Sequence, residues 1–248
     1  MTPPDRRITD ASLAELAERY SLPDRAIAQL RSLLDLLVGD PRAPTAIHGL
    51  AKTINDHLAD SLVALELDAV RDAAVAADIG SGAGLPGLAL AIALPASSFA
   101  LVESNGRKCA FLERAVARCC VANASVVHAR AESWEPGIGR HDLVTARALA
   151  PLDVVAEYAA PLLRVGGALV DWRGHRDAPA EAAGARAAER LGLGPADIRA
   201  VRPYPGVQHR HLYVSSKVRE TPPEFPRRPG VASKRPLGAG ISPTRRPV

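Results

Sequence analysis

The sequence predicts a doubly wound α/β fold, with a mostly parallel seven-stranded sheet that has an antiparallel edge and helices on both faces. Three observations support this prediction. From Val75 onward, short apolar runs alternate with segments of helical periodicity. A glycine-rich turn joins the first of these runs to the first helix. Two more apolar runs, 198–204 and 211–216, lie on either side of Pro205-Gly206 and indicate a closing hairpin.

The N-terminal part, residues 1–70, predicts a helical cap. Leucines at helical spacing indicate helices at about 10–20, 23–38 and 53–67. We expect Asp10 to cap the first helix, which leaves the first ten residues frayed. Gly39, Asp40 and Pro41 end the second helix.

Residues 71–216 predict the sheet domain. Its five parallel strands are expected at 75–79, 98–103, 125–129, 142–146 and 168–172, with helices at 86–94, 107–121, 151–163 and 178–191. Residues 217–248 form a basic, proline-rich tail with eight Lys or Arg against two Glu. Such a tail cannot build a core of its own, and its charge favours contact with polyanions such as nucleic acid. A solvated, solubilising tail is the alternative.

Composition excludes several classes of protein. No apolar run approaches the roughly 20 residues that span a bilayer, and the N-terminus lacks the apolar segment of a signal peptide. The three cysteines have neither disulfide nor metal-ligand spacing. We therefore expect a cytoplasmic protein, monomeric, with no metal site and no membrane contact.

The turn after the first strand carries the strongest functional signal. Gly80, Gly82 and Gly84 occupy alternate positions after the acid Asp78, and Pro86 fits the first helical turn. Glycine accepts positive φ and lets a ligand approach bare backbone, so a nucleotide-like ligand is the leading hypothesis. A glycine-rich turn that only packs is the alternative.

Each parallel strand also ends in distinctive residues. In a doubly wound sheet, ligands bind beyond the carboxyl ends of the central strands. The residues at these ends are Asp78 with the glycine turn, Glu103, Arg130-Ala131-Glu132, Arg147 and Trp172-Arg173-Gly174. Five such strand ends around one crevice indicate a binding site. Glu103 suits this site because its carboxylate can accept hydrogen bonds from both hydroxyls of a ribose.

Charge separates two cofactor hypotheses. Gly82, Gly84 and Gly87 satisfy GxGxxG, and Glu103 lies at the spacing expected for a dinucleotide. The acid Asp78 opposes a dianionic pyrophosphate, however, and suits the cationic S-adenosylmethionine. An acid followed by alternate glycines, with a second acid ending the next strand, is typical of class I (Rossmann-like) methyltransferases. A NAD-dependent Rossmann oxidoreductase is the alternative.

Missing motifs narrow the chemistry. The sequence has no Asn/Asp-Pro-Pro-aromatic motif for an exocyclic amine and no Pro-Cys placed to attack a pyrimidine. A ring nitrogen with a free lone pair, such as guanine N7, needs only in-line positioning and no general base. Arg147 and Arg173 are candidates to orient the base or phosphates, or else form structural ion pairs. A non-catalytic RNA-binding scaffold is a second alternative.

Several motifs together resemble the RsmG/GidB family of bacterial 16S ribosomal RNA methyltransferases. They are HLADSL, DIGSGAGLPGLALAIALP, LVESNGRKCAFLERAV, HARAESW, HDLVTARALAPLDVVAEYAAPLLRVGGALVDWRG and FPRRPGVASKRPLG, which lie in this order over about residues 45–238. The resemblance implies S-adenosylmethionine-dependent methylation of guanine N7 in the decoding-centre loop, at guanine 527 of the RNA. The implied partner is 16S ribosomal RNA or the small ribosomal subunit.

The resemblance also implies roles for individual residues. Gly80 and Leu85 contact S-adenosylmethionine through the turn, Ala131 and Glu132 flank the adenine, Glu103 matches the acid at the ribose, and Arg147 lines the site near the methyl group. The chain departs from the family at Arg173-Gly174, where Lys-Gly is common, and at residues 43–45, which replace Asn-Leu-Thr. His57 and Asp60 share one helix face, and their role, structural or at the substrate, stays open.

Overall fold

The sheet has the predicted topology. The computed structural model describes residues 3–47 and 49–238, and these form a seven-stranded sheet in the order β3-β2-β1-β4-β5-β7-β6. Strands β1 to β5 are mutually parallel, and β7 is antiparallel to both β5 and β6. The strands are β1 (Val75–Ile79), β2 (Ser98–Glu103), β3 (Ala124–His128), β4 (His141–Arg147), β5 (Leu163–Arg173), β6 (Asp197–Ala200) and β7 (His211–Ser216).

The doubly wound fold class is therefore confirmed, with one refinement at the closing hairpin. The antiparallel strand is β7, which lies between β5 and β6 and not at the outer position. Because β7 reverses direction relative to β6, the outermost strand runs parallel to β5 again. The connection between β6 and β7 contains Gly206 at a φ of +81°, a conformation that glycine adopts without steric cost.

Helices cover both faces of the sheet. They are α1 (Pro3–Arg19), α2 (Ala26–Gly39), α3 (Leu50–Thr53), α4 (Asp60–Leu62), α5 (Asp68–Arg71), α6 (Gly87–Ala93), α7 (Gly106–Arg118), α8 (Leu152–Ala159), α9 (Ala178–Leu191) and α10 (Val231–Lys234). The predicted start of the first helix was wrong. That helix was expected to begin at about residue 10, whereas α1 begins at Pro3. Proline is tolerated in a first helical turn, and Asp10 lies inside the helix, where it pairs with Arg31 of α2 at 2.6 Å.

The third predicted helix, 53–67, is present but irregular. A π-helical turn, Ile54–Ala59, lies between α3 and α4, and a 3-10 turn, Val63–Glu66, follows α4. π-helical turns occur mostly as short interruptions and frequently at functional sites. This one carries Asp56 and His57, so the interruption lies where the cap meets the sheet.

Two apolar cores lie on opposite faces of the sheet. The first joins the cap to the sheet through Leu34, Leu58, Leu88 and Leu112, so the cap shares one continuous core with α6 and α7. The second packs α8 and α9 against the other face. Neighbouring β1 residues Ala76 and Ala77 belong to different cores, as alternation along a strand requires.

The predicted basic tail is described as far as Gly238, and residues 239–248 lie outside the described residues. Its described portion packs on the sheet domain, since Phe225 and Ala232 belong to the second core. Among the described residues, no helix is long and apolar enough to cross a membrane.

Candidate active site at the carboxyl edge of the sheet

The glycine turn brings bare backbone to the carboxyl end of β1. Gly80, Gly82 and Gly84 all have positive φ, at +70°, +56° and +87°. A Cβ on Gly80 would lie 2.5 Å from Cδ1 of Leu149, so no side chain fits there without displacement of that leucine. The turn therefore needs glycine at this position for both its conformation and its closeness to Leu149.

Asp78 lies beneath the turn and supports it from the interior. Its side chain accepts hydrogen bonds from the Thr145 hydroxyl at 2.8 Å and from the Gly87 amide at 3.2 Å. Burial raises the pKa of Asp78 to about 6. From the sequence, this charge was expected beside a cationic cofactor. In the structure, the Asp78 carboxylate accepts hydrogen bonds from the turn and from the neighbouring strand β4. Asp78 therefore supports the turn, and its predicted effect on a cationic cofactor stays a prediction.

Glu103 closes the same turn from β2. It is 6% exposed, and its two carboxylate oxygens accept hydrogen bonds from the Gly82 amide at 3.1 Å and the Asn105 amide at 2.8 Å. Each carboxylate oxygen has a second lone pair. Glu103 therefore keeps acceptor capacity for a diol while it fixes the turn.

A first cavity of about 170 Å³ opens beyond β1, β2 and β3. Three predicted site residues line it together, namely Gly80, Ala131 and Glu132. Leu85 is buried in the first apolar core, so a ligand contact from this residue would come from its backbone. The remaining lining includes Ser104, Leu149, Ala150, Tyr158 and Ser233.

A second cavity of about 460 Å³ lies beyond β4 and β5, under the helical cap. It is lined by Ile47, Asp56, His57, Asp60, Arg147, Ala148, Trp172, Arg173, Gly174 and Arg210. Residues 147–150 separate the two cavities, because the first two face the second cavity and the last two face the first. Ala148 adopts a φ of +52° within this segment, an uncommon conformation that often accompanies functional sites.

Arg147 is held on several sides in the second cavity. Its guanidinium donates to Asp60 Oδ2 at 3.0 Å and to the Asp56 carbonyl at 3.3 Å. Its Nη2 also lies 3.4 Å from His57 Nδ1. Since the guanidinium side chain is 15% exposed, these partners fix its orientation at the cavity wall.

His57 is a neutral acceptor in this arrangement. Its Nε2 lies 2.7 Å from the Thr45 hydroxyl, which places Nδ1 toward Arg147. Burial and the charge of Arg147 lower the pKa of His57 to about 4. At neutral pH the imidazole therefore accepts from the arginine without adding charge.

Asp60 joins two arginines. Besides Arg147, Arg210 donates to its Oδ1 at 3.1 Å. Burial raises the pKa of Asp60, and the two arginines oppose that change. Both His57 and Asp60 therefore hold Arg147 at the cavity. Both also line the cavity, and a role of either at the substrate stays a prediction.

Three residues of this cluster were missed by sequence reasoning. Arg210 comes from the segment before β7, Tyr204 from the β6–β7 connection, and Asp56 from the π-helical turn. The Tyr204 hydroxyl donates to Asp56, and Arg210 lies 3.6 Å from the same carboxylate. Site residues were predicted from the sequence at the carboxyl ends of the five parallel strands, and none of these three residues lies at such an end.

Arg173 supports the segment between the cavities. It donates to the Asp171 carboxylate at 2.8 Å and to the Ala150 carbonyl at 2.7 Å. Burial raises the pKa of Asp171 to about 7. Arg173 forms the structural ion pair with Asp171, and its hydrogen bond to Ala150 tethers residues 147–150 to β5. Arg173 also lines the second cavity, and a role in orienting the substrate stays a prediction.

Comparisons with known proteins identify sequences similar to this chain. The model of the GidB family, described as rRNA small subunit methyltransferase G, matches residues 27–201. A "Ribosomal RNA small subunit methyltransferase G" from Chloroflexus aggregans is 37% identical over 238 residues, covering 92% of this chain and 98% of that protein. The protein of the same name from Rubrobacter xylanophilus is 40% identical over 191 residues, covering 75% of this chain and 73% of that protein.

A solved structure shares the fold. The SAM-dependent O-methyltransferase from Thermotoga maritima aligns with a TM-score of 0.54 at 13% identity, covering 76% of this chain and 72% of that one. At this identity the likeness concerns the Rossmann-like architecture alone.

Proposed function

This chain belongs to the GidB family, and we propose on that premise that it methylates guanine N7 in 16S ribosomal RNA with S-adenosylmethionine. The observation that carries the proposal is the pair of adjoining cavities at one edge of the sheet, separated by residues 147–150. One cavity suits a nucleoside-like cofactor and the other suits a base that has been turned out of its loop.

The residues of the first cavity fit S-adenosylmethionine. Gly80, Ala131 and Glu132 line this cavity. Glu103 is buried beside the turn and is not among the lining residues, and its carboxylate oxygens keep acceptor capacity for a ribose. When bound, S-adenosylmethionine supplies an electrophilic methyl group on a sulfonium. Gly82 and Leu85 would contribute through the backbone of the turn, and Asp78 by holding that turn.

The residues of the second cavity fit guanine. Arginine donors suit the O6 acceptor of guanine, which leaves the N7 lone pair available. Arg147 is oriented by Asp60 and His57 before any substrate arrives, so little ordering remains for the reaction. N7 carries no proton, so the chain needs no general base. The carboxylates of Asp56 and Asp60 favour the positive charge that N7 methylation places on the ring.

The substrate is proposed to be 16S ribosomal RNA or the small subunit, at guanine 527. We further propose that the protein acts as a monomer in the cytoplasm, where this RNA is found. The family described above consists of methyltransferases, so the comparisons give the NAD-dependent oxidoreductase no support.

Methyl incorporation tests the proposal. Small subunits from a strain that lacks the gene are incubated with purified protein and S-adenosylmethionine labelled in its methyl group. We expect label in 16S RNA with the native protein and none with Gly80→Asp. Gly139→Asp is the matched control, because Gly139 also has positive φ but its Cβ position meets nothing within 4 Å.

Thermal unfolding of all three proteins separates a lost site from a lost fold. Label with the native protein and with Gly139→Asp, but not with a folded Gly80→Asp, supports the proposal. Absence of label with the native protein, together with retained RNA binding, would overturn it in favour of the non-catalytic scaffold.

A further inference from the structure

The segment after β7 supplies one wall of the first cavity. Ser233 of α10 lines this cavity together with Tyr158 of α8, and their hydroxyl oxygens lie 3.0 Å apart. The Gly230 amide donates to Glu132 Oε1 at 3.1 Å. Glu132 is a predicted cofactor residue, so the segment bonds directly to the cofactor site across 98 positions of sequence.

A buried ion pair attaches this wall to α8. Arg227 Nε donates to Glu157 Oε1 at 2.6 Å, and Arg227 Nη2 donates to the second oxygen of the same carboxylate. The Glu157 side chain is 2% exposed. A two-point arginine–carboxylate contact is both strong and directional, so the pair fixes the position of the segment as well as its attachment.

Further contacts hold the segment on either side of the pair. Phe225 is buried in the second core, and the guanidinium carbons of Arg190 and Arg227 lie 5.2 and 5.9 Å from its ring centre. At the start of the segment, the buried Lys217 ammonium donates to the carbonyls of Ala160 at 2.8 Å and Leu191 at 3.0 Å.

Arg227 also organises the wall internally. Its Nη2 donates to the Arg235 carbonyl at 2.9 Å, which closes residues 227–235 into a loop. This loop contains Ser233, which lines the cavity, and Gly230, whose amide bonds the lining residue Glu132. Loss of the Arg227 guanidinium would therefore release both cavity contacts at once.

We propose that residues 225–235 form a docked wall of the S-adenosylmethionine site and that Arg227 and Glu157 are its positioning residues. The inference rests on the proposed function, because it takes the first cavity as the cofactor site. The basic tail was predicted from its charge to contact nucleic acid, and this proposal gives it a second role at the cofactor site. Binding is favoured when the wall is docked, since a preformed site needs no ordering on association.

Calorimetric titration with S-adenosylhomocysteine tests the proposal on the full chain. If Arg227→Ala leaves about one tenth of the molecules docked, the apparent affinity falls about tenfold. Arg227→Lys keeps the charge but loses the two-point contact, so its affinity for S-adenosylhomocysteine should lie between those of the native protein and Arg227→Ala. Arg219→Ala is the control, because Arg219 belongs to the same segment but donates to carbonyls at the end of α9, at Glu189 and Arg190. The affinity of Arg219→Ala for S-adenosylhomocysteine should stay within about twofold of the native value, because Arg219 does not contact the cofactor site.

Amide exchange of the native protein gives a second readout. Binding and docking are reciprocal, so S-adenosylhomocysteine should slow exchange at Gly230, whose amide bonds Glu132. Unchanged affinity in a folded Arg227→Ala would overturn the proposal. If that variant does not fold, unchanged exchange at Gly230 in the native protein would overturn it. Failure of the native protein to bind S-adenosylhomocysteine at all would instead contradict the proposed function.

Discussion

His57 and Arg147 meet at the wall of the second cavity, with Nδ1 of the histidine 3.4 Å from Nη2 of the arginine. The histidine comes from a π-helical turn of the cap, and the arginine ends the central strand β4. This contact joins the cap to the sheet at the point where the substrate base is proposed to lie. Because the histidine must accept from a cation, it works only in its neutral form.

The first prediction concerns the titration of His57. Its pKa of about 4 lies below the ordinary 6.5, so the unfolded chain binds the proton more tightly. Its contribution to stability is complete above about pH 6.5 and is lost as pH falls toward 4, by at most about 3 kcal/mol. NMR titration of the His57 ring should show no protonation at pH 6.

A comparison of urea unfolding isolates this contribution. As pH falls from 6.5 to 4, the difference in free energy of unfolding between the native protein and His57→Gln should change by up to about 3 kcal/mol in favour of His57→Gln. The raised pKa values of Asp60 and Asp78 act in the opposite direction, and they are common to both proteins. A midpoint near 6.5 for the His57 ring would contradict the assigned burial and the Arg147 contact.

The second prediction concerns Asp60, which lies between Arg147 and Arg210. Asp60→Asn leaves two cations without their shared carboxylate, and should lower the free energy of unfolding by about 2 kcal/mol, because relief of the desolvation that raises the pKa of Asp60 offsets part of the loss. Asp197→Asn is the control, because the Asp197–Arg199 pair is exposed, with side chains 59% and 52% accessible. That change should cost about 1 kcal/mol or less. Equal effects in denaturant titrations would show that the Asp60 cluster adds no more than a surface pair.

The third prediction concerns the support beneath the glycine turn. A Cβ on Gly87 would lie 2.5 Å from Cβ of Asp78 and 2.7 Å from Cδ2 of Leu101. Gly87→Ala should therefore destabilise the protein by about 1–3 kcal/mol through overpacking. Gly39→Ala meets nothing within 4 Å and should change stability by about 0.5 kcal/mol or less. Thermal unfolding of both variants measures these changes in stability. An unchanged stability in Gly87→Ala would mean that the turn is not closely packed on Asp78.

The fourth prediction separates the two tasks of the C-terminal segment. Lys234 and Arg235 have exposed side chains, so their charges are available to phosphates. The double variant Lys234→Ala, Arg235→Ala should bind ribosomal RNA more weakly and with a salt dependence reduced by about two charges. Its affinity for S-adenosylhomocysteine should stay within about twofold of the native value, because the wall contact at position 235 is made by the backbone carbonyl, which the substitution keeps. Filter binding over a range of salt concentrations measures the slope, and an unchanged slope would remove these residues from the RNA interface.

The fold followed from local pattern because each strand and helix carries its own periodicity. Strands β1 and β2 and helix α9 have the predicted bounds, and the glycine turn lies where predicted. Parallel strands must place their carboxyl ends at one edge, so Gly80, Glu103 and Arg147 could be assigned to that edge from sequence alone.

The fine structure of the site depends on contacts between distant segments. Arg210 and Tyr204 reach Asp60 and Asp56 across about 150 residues, at separations of 150 and 148 positions. Asp78 adjoins the turn in sequence, but the partner of its carboxylate on β4, Thr145, lies 67 positions away and could not be found from local pattern. The cap irregularity that presents His57 has no sequence periodicity of its own to predict it.

The central claim is most directly tested by mapping N7-methylguanosine at nucleotide resolution in 16S ribosomal RNA. The strains to compare lack the gene, carry the native gene, or carry Gly80→Asp. We expect the modification at guanine 527 in the strain with the native gene, and its absence in the strain without the gene and in the Gly80→Asp strain. The same level of N7-methylguanosine at that position in the strain without the gene would contradict it.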